Sequence, residues 1–405
     1  MTGSTQTSAD EVRIVLIAGE HSGDALGAKL VAALKARLGD RLRLSGVGGD
    51  AMAEEGFVSD FPISDVAVMG PLSILRHLPR IVRRVYATVD RAIAFDPHVV
   101  VIIDSPEFTH PIAKRIRKRR PDIPIIDYVS PSVWAWRPGR ARKMRGYVDH
   151  VLALLPFEPE THARLGGPPC TYVGHALSEW VDWLDALDPT PLAARLGLDP
   201  ARPVVVALPG SRSSEVGRLM EPFGDTLRLL IADGIKPEVL MPCVAHMRPL
   251  ILSKLALWPV TPHLVDVHDD KFRAFKLADA ALAASGTVTL ELALAGVPMV
   301  VAYRVDPVAA PFLRRLIKAP TVVLANLVLG ENVFPEFHQE TVTPENLAAA
   351  LRPLLSDTEA RGKQVAALAR VPGLIRTDDG RAPSEAAADI VLDYALGKGR
   401  RAGPM

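Results

Sequence analysis

Two loops in the first half of the chain contain carboxylates placed to handle a proton. One is AGEHSGDALGAKL, residues 18–30, in which Glu20, Ser22 and Asp24 lie between glycines spaced four apart. The other is DSPEF, in which Asp104 directly follows the apolar run HVVVII. A carboxylate at the end of a buried strand is partly removed from water, which suits a general base. Asp104 is therefore the base candidate.

The same residues also have a purely structural interpretation. Asp104 can cap the helix predicted to begin near Pro106, and Asp24 or Ser22 can cap the helix that follows the glycines. Spacing alone does not separate the two interpretations. The glycines do not follow the Gly-x-Gly-x-x-Gly pattern, which argues against a nicotinamide enzyme.

Two loops in the second half carry hydrogen-bond donors suited to phosphate. The first is LPGSRSSEVGRL, residues 208–219. Gly210 lets the backbone approach a ligand, while Ser211, Arg212 and a helix start supply donors and a fixed charge. This combination suits a diphosphate, whose charge Arg212 would neutralise on departure. A plain helix start is the alternative.

The second of these loops is SGTVTLE, in which Ser285, Gly286 and Thr287 open a predicted helix and Glu291 lies one turn further along. Such a helix start can hold a phosphate, and the carboxylate can accept hydrogen bonds from a ribose hydroxyl pair. The pattern predicts a sugar-nucleotide site. Capping by Thr287 and Glu291 is the alternative, although their spacing is one residue too long for a capping box.

Alternating strand and helix patterns must position these loops. The predicted strands of the first half are VRIVLIA (12–18), LRLSGVG (42–48), HVVVIID (98–104), PIIDYVS (124–130) and VDHVLALL (148–155), with helices near 24–37 and 79–94. Those of the second half are PVVVALPG (203–210), EVLMPC (238–243), HLVDV (263–267), AALAAS (280–285) and PMVVAY (298–303). Strands that are apolar throughout and alternate with helices indicate parallel, doubly wound sheets. We predict an α/β fold of two Rossmann-like domains facing a cleft, with ligands at the carboxyl ends of the strands.

The predicted domain limits follow from these patterns. The N-terminal domain covers 12–180 and the C-terminal domain covers 181–365, joined by the strand-free stretch 176–202. Amphipathic helices end near residue 395. The polar segment 1–11 and the basic tail 396–405 are predicted to be disordered.

Composition limits the class of protein. The 405 residues are 48% hydrophobic and 23% charged, which is typical of a chain that folds into two ordinary domains. A net charge of +1 provides no general field for nucleic acid. Cys170 and Cys243 fit neither a metal spacing nor a disulfide framework, which favours a reducing cytosol. The sequence shows no signal peptide and no run of about 20 apolar residues that could span a bilayer.

One segment suggests contact with a membrane surface. VAVMGPLSIL, residues 66–75, is predicted to be an apolar loop because Gly-Pro interrupts it, and arginines follow at helical spacing. Apolar side chains beside arginines resemble an interfacial anchor. The predicted acceptor- or membrane-contacting residues are Val66, Val68, Met69, Leu72, Leu75 and Arg76. The alternative is a buried hydrophobic loop over a basic, solvated helix face.

A second basic segment, residues 131–146, mixes tryptophans with arginines. Trp134 and Trp136 lie close to Arg137 and further cations. Interleaved aromatic and basic residues can indicate nucleic-acid binding. The near-zero net charge makes this the weaker interpretation.

Taken together, the loops resemble the lipid-A-disaccharide synthases, glycosyltransferase family 19. The matching strings are AGExSGD (18–24), AVMG (67–70), DSPEF (104–108), YVSPSVWAWR (128–137), LPFE (155–158), VGH (173–175), LPGSRxxEV (208–216), SGTxTLE (285–291) and PMVVxYR (298–304). The resemblance extends over about residues 12–390, and SPSVWAWR is its most specific part. The chain departs from the family pattern at His21, where many relatives have a small residue, and at Ala325, where a proline is usual.

The resemblance implies a GT-B fold and a defined reaction. UDP-2,3-diacylglucosamine would donate its sugar to the 6-hydroxyl of 2,3-diacylglucosamine 1-phosphate, with inversion and without a metal or cofactor. Asp104 would be the base, Glu20 a second acid and Ser22 a neighbour of the acceptor. The implied UDP-sugar residues are Gly210, Ser211, Arg212, Glu215, Ser285, Gly286, Thr287, Glu291, Asn326 and Gln339.

The resemblance also implies partners and a location. Both substrates are lipids, so the protein is expected on the cytoplasmic face of the inner membrane as a peripheral enzyme. Family members often pair as homodimers and cross their C-terminal helices between domains, so residues 366–395 are expected to pack on the N-terminal domain.

Alternative functions remain at this level. Another GT-B enzyme, such as a UDP-N-acetylglucosamine 2-epimerase or the glycosyltransferase that forms lipid II, would share the two Rossmann halves but not SPSVWAWR. A non-catalytic sensor of sugar nucleotides or lipids would bind UDP without forming a disaccharide.

Overall fold

The architecture comes from a computed structural model that describes residues 11–67, 71–266, 269–306 and 319–399. The contacts divide the chain into two compact units. The first comprises residues up to 176 together with those from 376 onwards, and the second comprises Leu177–Ile375.

The first unit contains a six-stranded parallel sheet in the order β2-β1-β3-β4-β5-β6. Its strands are β1 (Val12–Ala18), β2 (Leu42–Val47), β3 (Val99–Ile103), β4 (Ile125–Tyr128), β5 (His150–Ala153) and β6 (Cys170–Tyr172). Its helices are α1 (His21–Leu38), α2 (Asp50–Glu54), α3 (Pro71–Ala94), α4 (Pro106–Arg119), α5 (Gly139–Met144) and α6 (Glu158–Arg164). The central strands are buried on both faces, as the uninterrupted apolar runs predict.

The second unit repeats this architecture with the strand order β12-β11-β10-β7-β8-β9, again entirely parallel. Its strands are β7 (Val204–Leu208), β8 (Glu238–Pro242), β9 (His263–Val265), β10 (Ala280–Ala284), β11 (Met299–Tyr303) and β12 (Glu336–His338). Its helices are α7 (Val181–Ala186), α8 (Thr190–Leu196), α9 (Ser213–Ala232), α10 (Arg248–Leu255), α11 (Asp269–Leu277), α12 (Val288–Leu294), α13 (Leu324–Leu329), α14 (Pro344–Leu351), α15 (Glu359–Leu368) and α16 (Val371–Leu374). These findings confirm the predicted α/β fold class of two doubly wound parallel sheets.

Each sheet contains one point at which the chain reverses the direction in which it adds strands. In the first sheet this switch lies between β1 and β3, where Ala18 is paired with Ile103. In the second it lies between β7 and β10, where Leu208 is paired with Ala283. The loops that follow two such strands diverge to opposite faces and leave a crevice at the carboxyl edge.

The last helix of the chain, α17 (Pro383–Ala395), packs against the first unit. Arg37 of α1 donates from Nε to Asp389 Oδ1 at 2.7 Å, and Ala387 and Val391 are buried within the same hydrophobic core as β1 and β3. Sequence position alone would assign this helix to the second unit.

The predicted disordered termini fall mostly outside the described residues. Glu11 is described and pairs with Arg43 at 2.8 Å. At the other end, the N–H of Lys398 donates to the carbonyl oxygen of Asp393. Residues 1–10 and 400–405 lie outside the described ranges.

The prediction of an apolar loop at 66–75 is wrong for its second half. Helix α3 begins at Pro71, a position where the missing N–H of proline leaves no hydrogen bond unmade, and it continues through Pro79. Val66 is 7% exposed and packs in the core of the first unit rather than facing outwards.

The other predicted contact residues of this segment give no structural result. Val68 and Met69 lie outside the described residues, as do the side chains of Leu72, Leu75 and Arg76. Among the described residues, no helix combines the length and apolarity needed to cross a bilayer.

We expect Gly46→Ala to destabilise the first unit. Gly46 has φ of +128° in β2, and a Cβ there would lie 2.0 Å from the carbonyl oxygen of Leu16 in the paired strand. The backbone must shift, so the loss in unfolding free energy should exceed about 1 kcal/mol. Urea unfolding followed by circular dichroism measures it.

Gly146→Ala is the matched control in the same unit. Its Cβ would meet only the carbonyl oxygen of Lys143, at the ordinary distance of 3.6 Å. This variant should unfold close to the parent midpoint. Equal midpoints for the two alanine variants would contradict the close approach at Gly46.

Candidate functional site

The switch point of the first sheet joins the loop after β1 to the loop after β3. Ser22 Oγ donates to Asp104 Oδ2 at 2.6 Å, and the N–H of Ser105 donates to Asp104 Oδ1 at 2.7 Å. Ser105 Oγ in turn donates to Glu20 Oε1 at 3.2 Å. The base candidate, the second acid and the predicted acceptor neighbour therefore form one hydrogen-bonded cluster.

Glycines allow these two loops to approach so closely. A Cβ on Gly19 would lie 2.7 Å from Ser105 Oγ, and one on Gly23 would lie 2.9 Å from the carbonyl oxygen of Ile103. Side chains at either position would separate the loops and break the contact between Ser22 and Asp104.

The backbone at the base candidate adopts an uncommon conformation. Asp104 has φ of +54° and Ser105 has φ of +47°, both in the left-handed region that non-glycine residues rarely occupy. The conformation is held by Thr109, whose Oγ1 donates to the carbonyl oxygen of Asp104 at 2.8 Å. Strain of this kind concentrates at functional sites.

The alternative in which Asp24 or Ser22 caps α1 is wrong. Helix α1 begins after Glu20 without a side-chain cap. Asp24 is 3% exposed and instead accepts hydrogen bonds from the N–H groups of Gly49, Ala51 and Met52, which caps α2. Its carboxylate therefore has a structural role.

The switch point of the second sheet contains a cavity of about 360 Å³. Both predicted phosphate loops line it. The predicted residues around it are Gly210, Ser211, Arg212, Glu215, Ser285, Gly286, Thr287 and Glu291. The structure therefore brings together the residues that the two loops contribute from opposite sides of the switch.

Lys271 also lines this cavity, and sequence reasoning missed it. Its Nζ lies 2.8 and 2.9 Å from the two carboxylate oxygens of Glu291, and it stacks over Phe272 at 4.6 Å from the ring centre. Lys271 lies in α11, which packs beneath the sheet and carries none of the recognised motifs. The only feature of the sequence that could have indicated Lys271 is its place in the helix that precedes β10.

The capping alternative at Thr287 is not what the structure shows. Thr287 is the residue before α12, but its side chain makes no cap hydrogen bond, and Glu291 is engaged by Lys271. Ser285 Oγ donates to the carbonyl oxygen of Val322 at 2.8 Å and so fixes the loop.

Glu215 occupies donors that the sequence analysis reserved for a ligand. Its Oε2 accepts from the N–H groups of Ser211 at 3.1 Å and Arg212 at 3.2 Å, while Oε1 pairs with the Arg212 guanidinium at 2.8 Å. Gly210 permits this, because a Cβ there would lie 2.4 Å from the Glu215 Cβ. An internal carboxylate therefore takes the donors at this helix start.

Two further predicted residues lie outside the set that lines the cavity. Asn326 is 1% exposed; its Oδ1 accepts from the N–H groups of Val333 and Phe334, and its Nδ2 donates to the Phe334 carbonyl. Gln339 follows β12, and its Oε1 accepts from the N–H of Val305. Both residues order loops at the carboxyl edge, and ligand contact by either stays a prediction.

The loop after β4, which contains SPSVWAWR, is anchored by a buried acid. Trp134 Nε1 donates to Glu158 Oε1 at 3.1 Å, and the N–H of Leu155 donates to Oε2 at 3.0 Å. Burial raises the pKa of Glu158 from 4.5 to about 7. Ser130 of the same loop contacts His162 Nε2 at 2.8 Å, and burial lowers the pKa of His162 to about 4.

Solved structures resemble this fold at low sequence identity. A UDP-N-acetylglucosamine 2-epimerase from Neisseria meningitidis bound to UDP-GlcNAc aligns with a TM-score of 0.61 and 13% identity, covering 95% of this chain and 100% of the other. The MurG structure from Acinetobacter baumannii aligns with a TM-score of 0.58 and 13% identity, covering 94% and 99%. These likenesses show the fold alone, which is the GT-B fold.

Sequence comparisons reach further. The model of the family described as lipid-A-disaccharide synthetase matches residues 14–390. A lipid-A-disaccharide synthase of Nitrobacter hamburgensis is 53% identical over 94% of this chain and 95% of its own, and one of Rhodopseudomonas palustris strain HaA2 is 51% identical over 97% and 99%. The chain belongs to the lipid-A-disaccharide synthetase family and is a glycosyltransferase of lipid A biosynthesis. The resemblance predicted from the motifs is confirmed.

We expect the raised pKa of Glu158 to make the first unit lose stability as pH rises. The unfolded chain releases this proton near pH 4.5 and the folded chain near pH 7, so the folded state holds an extra proton between them. The contribution is fully present below pH 4.5 and is lost as pH rises through 7, amounting to roughly 3 kcal/mol. Urea unfolding of Glu158→Gln and the parent at several pH values should show the variant gaining stability relative to the parent across this range.

Glu160→Gln is the control for this titration, because Glu160 is exposed on the same helix. Groups other than Glu158 contribute equally to parent and variant and cancel in the difference. A difference between Glu158→Gln and the parent that stays constant from pH 5 to 8 would show that Glu158 is ionised throughout.

Proposed function

We propose that this chain transfers 2,3-diacylglucosamine from UDP to the 6-hydroxyl of 2,3-diacylglucosamine 1-phosphate, releasing UDP and a β(1→6)-linked disaccharide. The observation that carries the proposal is the match to relatives named lipid-A-disaccharide synthase along nearly the whole chain. The clusters at the two switch points supply residues for each step.

Asp104 is the general base of the proposed reaction. One of its carboxylate oxygens takes the proton of the acceptor 6-hydroxyl while that oxygen attacks C1 of the donor sugar and the bond from C1 to UDP breaks. Attack opposite the leaving group converts an α-linked donor into a β-linked product. The hydrogen bonds from Ser22 and Ser105 fix the direction of the carboxylate. Glu20, held by Ser105, serves as the second acid on the acceptor side.

The cavity of the second unit binds the nucleotide in this proposal. Glu291 accepts hydrogen bonds from the ribose hydroxyls and is oriented by Lys271. Arg212 and the N–H groups of Ser211 and Arg212 meet the charge that develops on the diphosphate. For that to happen, Glu215 must release these donors when the diphosphate arrives.

Contact with the inner-membrane surface, from its cytoplasmic side, is part of the proposal because both substrates carry acyl chains. The described part of α3 supports it. Leu78, Val82 and Tyr86, spaced four residues apart on one helical face, are 45%, 45% and 52% exposed. An apolar stripe flanked by arginines suits a helix lying at the boundary between head groups and acyl chains. A homodimer stays a prediction.

We expect Asp104→Asn to lower kcat by about a hundredfold or more, because the amide cannot accept the proton. Its oxygen can still accept from the Ser105 N–H, and its NH2 group can donate to Ser22 Oγ. UDP affinity should be unchanged. The rate of disaccharide formation from detergent-dispersed substrates measures kcat, and calorimetric titration with UDP measures UDP affinity. Asp40→Asn, an exposed aspartate of the same unit, is the control.

Unchanged turnover in Asp104→Asn would remove Asp104 as the base. The products also separate the functions. An epimerised UDP-sugar would indicate an epimerase, and UDP binding without any product would indicate a sensor.

We expect Lys271→Met to weaken UDP binding about tenfold, because Glu291 loses the cation that orients it and a charge-assisted pair is worth roughly that factor. Calorimetric titration with UDP measures the change. Lys236→Met is the control, since Lys236 is an exposed lysine of the same unit. Parent-like UDP affinity in a folded Lys271→Met protein would exclude a role for the pair in nucleotide binding.

A further inference from the structure

A second cavity, of about 460 Å³, lies within the first unit and has no role in the reaction as described so far. It is lined by α4 on one side and by α5 and the loop that precedes α5 on the other. Its lining includes Pro106 and Glu107, the second and third residues after Asp104. At about 1.5 Å per residue, the stretch of α4 from Pro106 to Lys114 spans roughly 12 Å. The cavity therefore starts beside the base and extends about the width of a sugar ring with a substituent.

The lining is strongly cationic. Lys114, Arg137, Arg140 and Lys143 all contribute, against the single carboxylate of Glu107. Glu107 pairs with Arg140 at 2.6 Å and lies 3.7 Å from Arg137, and the hydrogen bond from Arg140 lowers its pKa. Across the described ranges, no carboxylate pairs with the ammonium groups of Lys114 and Lys143. The cavity therefore keeps an excess of positive charge that its own acid does not neutralise.

Two of the cationic groups stack on aromatic rings, although both are exposed to solvent. The Arg137 guanidinium stacks on Trp136 at 4.2 Å from the ring centre, and Lys114 stacks on Tyr147 at 4.9 Å. Arg137 has φ of +52°, a further left-handed non-glycine residue close to this edge of the sheet. Ordering of this kind reduces the entropy lost when an anion binds.

Tyr147 is itself held in place by contact with a buried histidine. Its hydroxyl lies 2.9 Å from His110 Nδ1, and His110 Nε2 lies 3.2 Å from a carboxylate oxygen of the buried Asp127. This chain of contacts connects the wall of the cavity to β4. The SPSVWAWR segment also contributes to this cavity, because it supplies both Arg137 and Trp136, the ring on which Arg137 stacks.

We infer that this cavity binds the phosphate of the acceptor. The inference rests on the proposed function, which requires an acceptor with a phosphate on C1 and a reacting hydroxyl on C6. A phosphate monoester carries close to two negative charges at neutral pH, which matches two ammonium groups without a carboxylate partner and a stacked arginine. Lys114, Arg137 and Lys143 bind the phosphate, and the 6-hydroxyl at the other end of the sugar is thereby directed towards Asp104.

Acceptor selectivity tests the inference. The parent and the variants Lys114→Met and Lys143→Met are assayed with 2,3-diacylglucosamine 1-phosphate and with the same lipid lacking the phosphate. Each variant should lower kcat/KM for the phosphorylated acceptor about tenfold, the value of a charge-assisted contact, through a higher acceptor KM. The unphosphorylated acceptor and the KM for the UDP-sugar should be unaffected. Lys118→Met, an exposed lysine one turn further along α4, is the control.

A binding measurement separates this inference from the proposed reaction. Titration of the full chain with the water-soluble glucosamine 1-phosphate should show an affinity that falls about tenfold in each variant and is unchanged in Lys118→Met. If no disaccharide forms but this binding behaves as expected, the proposed reaction fails and the phosphate site stands. If disaccharide forms and both variants keep the parent preference for the phosphorylated acceptor, the site is overturned and the reaction stands.

A third arm distinguishes a membrane phosphate from the acceptor phosphate. Sedimentation with vesicles of phosphatidylcholine, with or without phosphatidylglycerol, reports binding to lipid head groups. Loss of phosphatidylglycerol-dependent binding in both variants, together with no binding of glucosamine 1-phosphate by the parent, would overturn the inference in favour of a lipid head-group site. Vesicle binding equal to the parent supports the acceptor phosphate.

Discussion

The reversal of strand order in each parallel sheet is the constraint on which both sites depend. Because β1 and β3 are neighbours in the sheet but far apart in sequence, the loops that leave them diverge and expose a crevice. The same holds for β7 and β10. In the first sheet the crevice is narrowed until Ser22 contacts Asp104, and only glycine at 19 and 23 permits that approach. In the second it stays open as the cavity between the two phosphate loops. One topological feature therefore gives a tight cluster of carboxylates and hydroxyls in one unit and a ligand-sized space in the other.

Each cavity contains a carboxylate that pairs with an arginine lining the same cavity. Glu107 pairs with Arg140 in the first unit, and Glu215 pairs with Arg212 in the second. Such an internal carboxylate orders the arginines and reduces repulsion between like charges. A phosphate that binds there replaces the carboxylate as the partner of the arginine. The net binding free energy is therefore the difference between two ion-pair energies of similar size. Selectivity between ligands would then depend on Lys114 and Lys143, which pair with no carboxylate of the described ranges, and on Lys271, whose partner Glu291 is a proposed ligand contact.

The apolar strands and their order in sequence made the fold predictable, whereas the direction of individual side chains did not. Runs such as VVVII that alternate with helical patterns favour strands covered on both faces, so the central strands and the loops after them followed from pattern alone. The edge strands β6 and β12, CTY and EFH, were missed because neither lies in an apolar run. The start of α3 was misplaced because Gly-Pro was interpreted as a break, when Pro71 in fact opens the helix.

The location of candidate site residues was predictable when they lay in the loop or the first helical turn after a strand. Asp104, Ser22, Arg212 and Glu291 are of this kind, since that position fixes their location at the carboxyl edge. Lys271 reaches the second cavity from a helix, and Glu215 turns back onto the donors of its own helix start, so their roles depend on side-chain direction that spacing does not encode. The basic segment 131–146 shows the same limit. Its composition suggested nucleic acid as a partner, whereas the cavity that Arg137, Arg140 and Lys143 line beside α4 is evident only from the structure. Local charge density, rather than the net charge of the chain, then determines which anion it can accept.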